Sequence, residues 1–99
     1  MSTIQHVQSA PDYIMKFIHA NMEQLQTIYQ EGSSNHGEGL LAFQCSEKEN
    51  KMDVQFMNET MIYEMISQES WINLTESKGD KQLFFVKDID LNSVFLITI

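Results

Sequence analysis

The residue types that do chemistry are few in this chain, and their spacing does not bring them together. The three histidines, His6, His19 and His36, stand 13 and 17 residues apart. Local zinc patterns place their ligands about two to five residues apart. Cys45 is the only cysteine, so no thiolate pair exists. A cysteine nucleophile also needs a base and an orienting group; Cys45, beside Ala42 and Phe43, reads as strand packing instead. Asp88-Ile89-Asp90-Leu91-Asn92 matches the first three ligand positions of a calcium loop. Ser93 then stands where glycine makes the sharp turn and Ile99 where the bidentate glutamate belongs. A polar turn between two strands accounts for the same residues. Glu47 and Glu49 flank a turn and not a cleft. The four glycines, at 32, 37, 39 and 79, sit at turns and form no phosphate loop. The expectation is a protein that is not an enzyme, with no catalytic residues, no metal site and no cofactor.

Composition narrows the partners. Fourteen acids against six lysines, with no arginine, give a net charge of −8. Phosphate backbones and anionic lipids are bound through basic patches, so nucleic acid and membrane are both disfavoured. Without arginine the usual bidentate ligand for phosphate and carboxylate is missing. The charge reads first as solubility, and second as attraction to a basic partner or mimicry of nucleic acid. With one cysteine, no apolar leader and no apolar run near the ~20 residues that cross a bilayer, a reducing, cytoplasmic location is expected. Asn58-Glu59-Thr60 and Asn73-Leu74-Thr75 match the glycosylation acceptor pattern and, without an export signal, read as chance.

The elements that must carry any surface follow from periodicity. Ninety-nine residues, 42% of them hydrophobic, fit one domain over 1–99, with 1–8 read as a flexible tail. Ser9 caps a helix that Pro11 and Asp12 open. Ile14, Phe17, Ile18, Met22, Leu25, Ile28 and Tyr29 keep its apolar rhythm until Gly32. Gly39 to Ser46 and Lys51 to Met57 read as a hairpin. Asn58 caps a second helix with Met61, Ile62, Met65 and Ile66 on one face. Trp71 to Thr75, Lys81 to Lys87 and Val94 to Ile99 read as three more strands. The fold class is therefore α+β, with a five-stranded antiparallel sheet and two helices. Leu83-Phe84-Phe85-Val86 and Val94-Phe95-Leu96-Ile97 are apolar on both faces. The middle of the sheet must then be covered on both sides, by a helix on each face or by a second subunit.

The order helix, two strands, helix, three strands resembles the Roadblock/LC7 family. The similarity is carried by SWINLTESKGDKQLFFVKDIDLNSVFLITI, from Ser70 to Ile99, and by GEGLLAFQCSEKENKMDVQF, from Gly37 to Phe56. It spans most of the chain as element order and apolar pattern, without a shared motif. The resemblance implies a dimeric scaffold, adaptor or regulator of other proteins. Small acidic secretion chaperones, which also mix helices with antiparallel strands, are a second analogue.

Two stretches offer a contact surface. Met57, Met61 and Met65 are four apart, with Ile62 alongside, and thioether side chains repack readily around partners. Trp71 and the last strand, through Phe95, Ile97 and Ile99, complete the candidate set. The sequence reading is a small acidic adaptor, regulator or assembly factor that binds another protein and forms a homodimer. The alternatives are an acidic mimic of nucleic acid, and a secretion-type chaperone or small ligand-binding domain.

Overall fold

The computed structural model describes residues 10–99 and the backbone of residues 4–6. Its elements are β1 (Ile4–His6), α1 (Asp12–Ala20), α2 (Met22–His36), β2 (Gly39–Ser46), β3 (Lys51–Asn58), α3 (Glu59–Tyr63), α4 (Gln68–Lys78), β4 (Leu83–Asp88) and β5 (Ser93–Thr98). One sheet runs in the order β1-β5-β4-β2-β3. Its body is two antiparallel hairpins, β2–β3 and β4–β5. They are joined side by side through β2 and β4, which are parallel, from Leu41 against Phe84 to Cys45 against Asp88. Three residues of β1 add a parallel strand beside β5.

The all-antiparallel, two-helix expectation is corrected by this arrangement. Short links do make hairpins, as expected. The link from β3 to β4, however, carries α3 and α4, and a connection of that length lets β4 return parallel to β2. Trp71 to Thr75 is not a strand but the middle of α4. Ser67 caps that helix, its Oγ accepting the Ser70 N–H at 3.1 Å. Thr75 and Ser77 donate their hydroxyls back to the carbonyls of Ile72 and Asn73. The β-prone Trp, Ile and Thr are overruled because the helix buries Trp71 and half-buries Leu74, three residues on. The single first helix is two, broken at Asn21. The Asn21 side-chain amide donates to the Phe17 carbonyl at 2.8 Å, competing with the helical ladder. The second of these runs through Gly32 to His36 and stops at Gly37, whose φ of 84° suits glycine. Within the expected tail, Ile4–His6 is a strand; Ser9 lies outside the described residues. The element order thus departs from the one on which the Roadblock/LC7 resemblance rests.

The odd residues of β2 and their partners face α1 and α2. Ile14, Ile18 and Leu25 pack there against Leu41, Phe43, Cys45, Phe84, Val86, Phe95 and Ile97. Phe43 is central, meeting Phe17 edge-on at a ring distance of 6.2 Å and Phe84 at 5.7 Å. Fully burying one such side chain stabilises the fold by about 1.5–3 kcal/mol, so this face holds most of the stability. The opposite face has a smaller core, Leu40, Ile62, Trp71 and Leu83, under α3 and α4.

Gly32 and Gly39 mark where backbones come closest. A methyl group on Gly32 would run into the Phe56 ring, and one on Gly39 into the Met57 carbonyl. Gly32→Ala gains about 1 kcal/mol of helix propensity, against an overpacking cost of about 1–3 kcal/mol. At Gly39 the obstacle is backbone, which cannot rotate away. Denaturant unfolding should show Gly39→Ala less stable by about 1–3 kcal/mol; an unchanged midpoint would contradict this packing.

Candidate functional site

Alternation along the strands sorts the polar groups. The even residues of β2 turn away from α1 and α2, and with their cross-strand partners they form the sheet's second face. Near the start of β2 and β4 this face is roofed by α3 and α4, through Leu40 and Leu83. Further along, the roof ends and the sheet is open. A groove of about 670 Å³ remains there. Ala42, Phe85 and Val94 make its floor, Met57 and Met65 the wall beneath the helices, and Gln44, Gln55, Asp53 and Lys87 supply its polar groups.

The row Val94, Lys87, Gln44, Asp53 crosses four strands in register. At about 4.8 Å per strand, Lys87 and Asp53 stand roughly 10 Å apart. Asp53 pairs with Lys51 at 3.5 Å, an exposed contact worth about 0–1 kcal/mol. It is the one ion pair among the described residues, so the half-buried Lys87 has no carboxylate partner among them. An apolar floor with a polar surround is the makeup of a protein contact. Among the described residues that line it, none is a nucleophile with an adjacent base.

The sequence candidates divide. Met57 and Met65 line the groove, and Met61 and Met65 are 38% and 39% exposed. Ile62 and Trp71 are buried beneath α3 and α4. Phe95 and Ile97 belong to the core under α1 and α2, with Ile99 packed against it. Those five have little or no surface to offer. Phe85, Lys87 and Gln44 were not singled out by sequence reasoning, nor was Tyr63, held out at 36% exposure by a hydrogen bond to Glu59. The available signal was parity: in β4, positions 83, 85 and 87 share a face, and that face changes from Leu to Lys along the strand.

The other titratable cluster stitches the two hairpin turns together. Tyr13 donates its hydroxyl to Asp88 at 2.9 Å, and the second Asp88 oxygen accepts the Leu91 N–H at 3.2 Å. Asp90 accepts from the Ser46 hydroxyl at 2.7 Å and from the Lys48 N–H at 3.1 Å. The run that resembles a calcium loop thus has both carboxylates engaged within the protein. Among the described residues, no three acidic, histidine or cysteine groups come together to hold a metal. Burial pushes the Cys45 thiol up, as do the charges of Asp88 and Asp90, while the nearby Tyr13 hydroxyl works the other way. A thiol kept protonated is a poor nucleophile. Burial likewise pushes the Tyr13 hydroxyl up, aided by Cys45 and Asp88. His19 and His36 are exposed on their helices, and His6 lies in β1.

Comparison with protein-family models, with curated proteins and with solved structures finds no match to this chain. No helix among the described residues is long and apolar enough to cross a membrane.

The turn clamp has a pH signature. The Ser46 hydroxyl, then the Lys48 N–H, hold Asp90 below its ordinary value of 3.8. Its contribution to stability is therefore complete above 3.8 and is lost as the pH falls through the lower, folded value. Denaturation of the native protein and Asp90→Asn should show a stability gap at neutral pH that closes on acidification below 3.8. A gap independent of pH would contradict the clamp.

Proposed function

We propose that this protein is a small acidic interaction module, an adaptor, regulator or assembly factor, that works by binding another polypeptide and performs no catalytic step. The observation that carries the proposal is the half-roofed second face of the sheet. Phe85 and Met57 are left half-buried there, beside Lys87, which has no carboxylate partner among the described residues. Folded proteins seldom leave a central sheet face open, and a sizeable apolar patch is a common mark of a contact surface. Further apolar side chains stand out from α3, α4 and the link between them: Met61, Tyr63, Met65 and Ile72, the last 45% exposed. Methionines at such a rim suit a surface that must repack against its partner.

The absence of arginine and the net charge of −8 support a polypeptide over nucleic acid as the ligand. The acids are spread over helices, turns and strand β3, which does not favour a phosphate-mimicking row.

The test is site-specific photo-crosslinking in the cell that makes the protein. A photoreactive residue replaces Gln44 on the groove floor, or Glu23 on the exposed side of α2. The Gln44 position should give a discrete covalent adduct with a polypeptide, and the Glu23 position should not. Equal adducts from both positions, or none from Gln44, would overturn the proposal.

A further inference from the structure

We propose that the groove is filled by a second copy of this chain, each copy placing its α3–α4 corner into the other's open sheet face. This rests on the reading of that face as a polypeptide contact, and it names the occupant.

Shape is the first ground. The helices roof the beginning of β2 and β4, and the groove lies over the later part of the same strands. A two-fold axis lying between two such faces, and running across the strands, reverses strand direction from one copy to the other. The roof of each copy then stands over the open half of its mate. The contact is isologous and closes on itself, which is the commonest form of oligomer.

The second ground is what the corner carries. The sequence Met61-Ile62-Tyr63-Glu64-Met65 turns Met61, Tyr63, Glu64 and Met65 outward and only Ile62 inward. It is an apolar projection with one carboxylate in it. The floor it would meet is apolar, and of the two charged groups in the groove Asp53 is paired with Lys51, whereas Lys87 lacks a carboxylate partner among the described residues. Glu64 likewise has no cation within ion-pair distance among them. Corner and groove are therefore complementary in both polarity and sign. A two-fold axis makes the pairing twice, Glu64 of each copy with Lys87 of the other. In a chain with a net charge of −8, self-association needs such a local match, because the overall fields repel.

Charge exchange tests this on the full chain. Sedimentation equilibrium over a range of concentrations should give a species of twice 11.5 kDa for the native protein. Glu64→Lys and Lys87→Glu, each of which places like charges against each other twice, should raise the dimer dissociation constant by about tenfold or more. The double variant restores opposite signs and should return the constant to within about threefold of native. Gln44→Glu, on an exposed floor position, should also weaken the dimer by repelling Glu64. Circular dichroism melting checks that each variant stays folded, and should one of the charge variants fail, Gln44→Glu carries the test.

A native protein that remains at 11.5 kDa throughout overturns the proposal. So does a dimer indifferent to the single and Gln44 variants, or single-variant losses that the double variant does not repair. The two readings also fail separately. A monomer whose Gln44 crosslinks to a different polypeptide keeps the contact surface and removes the second copy as its occupant. A chain that gives no adduct at Gln44, of either mass, removes both.

Discussion

The parallel pairing of β2 with β4 is the constraint from which the rest of the structure follows. A parallel pair at the centre of a sheet tends to bury both of its faces. Leu40, Leu41, Leu83 and Phe84 obey that rule, each at 1% exposure or less. One face is covered completely, because α1 and α2 together are long enough to cross the strands. The other is covered only where α3 and α4 reach. The five residues of α3 and the eleven of α4 are tied to the end of β3 and the start of β4, so their roof sits at one end. What they leave bare is the groove, which is a consequence of the connection and not a separate feature added to the fold.

The polar network at the other end has a structural task. Parallel strands meet there with both hairpin turns side by side, and each turn ends in an asparagine with φ near +50°, Asn50 and Asn92. Left-handed backbone suits asparagine better than most residues. Ser46 and Asp90 fasten one turn to the other, and Tyr13 brings the first helix to Asp88. Carboxylates that spend their oxygens on hydroxyls and backbone N–H groups have little left for a metal. The acidic run thus fastens the two hairpin turns to each other and to α1.

Legibility in the sequence followed the range of the interactions. Hairpins β2–β3 and β4–β5 were readable because local alternation and polar turns determine them. The cap at Asn58 was readable too, since its side chain accepts from Met61 three residues on. The helix over Trp71 was missed because Glu76 to Asp80 read as a hairpin turn after β-prone Trp71, Ile72 and Thr75, and the cap at Ser67, itself a local signal, was not weighed. The β2–β4 pairing was missed for a different reason: two strands about 40 residues apart leave no local mark of their direction. Doubly apolar β4 and β5 did reveal that both faces needed cover. The Met57, Met61 and Met65 spacing picked out two of the groove's lining residues, Met57 and Met65, whereas Phe95 and Ile97, equally apolar, fell to the interior face by parity. That Lys87 has no carboxylate partner among the described residues could not be recognised until its neighbours in space were known.

The account stands on one claim, that the open half of the second face is where this protein meets another chain. Methyl-resolved NMR reads that face directly. As the protein is concentrated, or as its captured partner is added, the methyl signals of Ala42, Met57 and Met65 should shift together and lose solvent exposure. Those of Met15, Met22 and Ile28, on the α1–α2 side, should stay in place. Shifts confined to the α1–α2 side, with the groove methyls unmoved, would contradict the account.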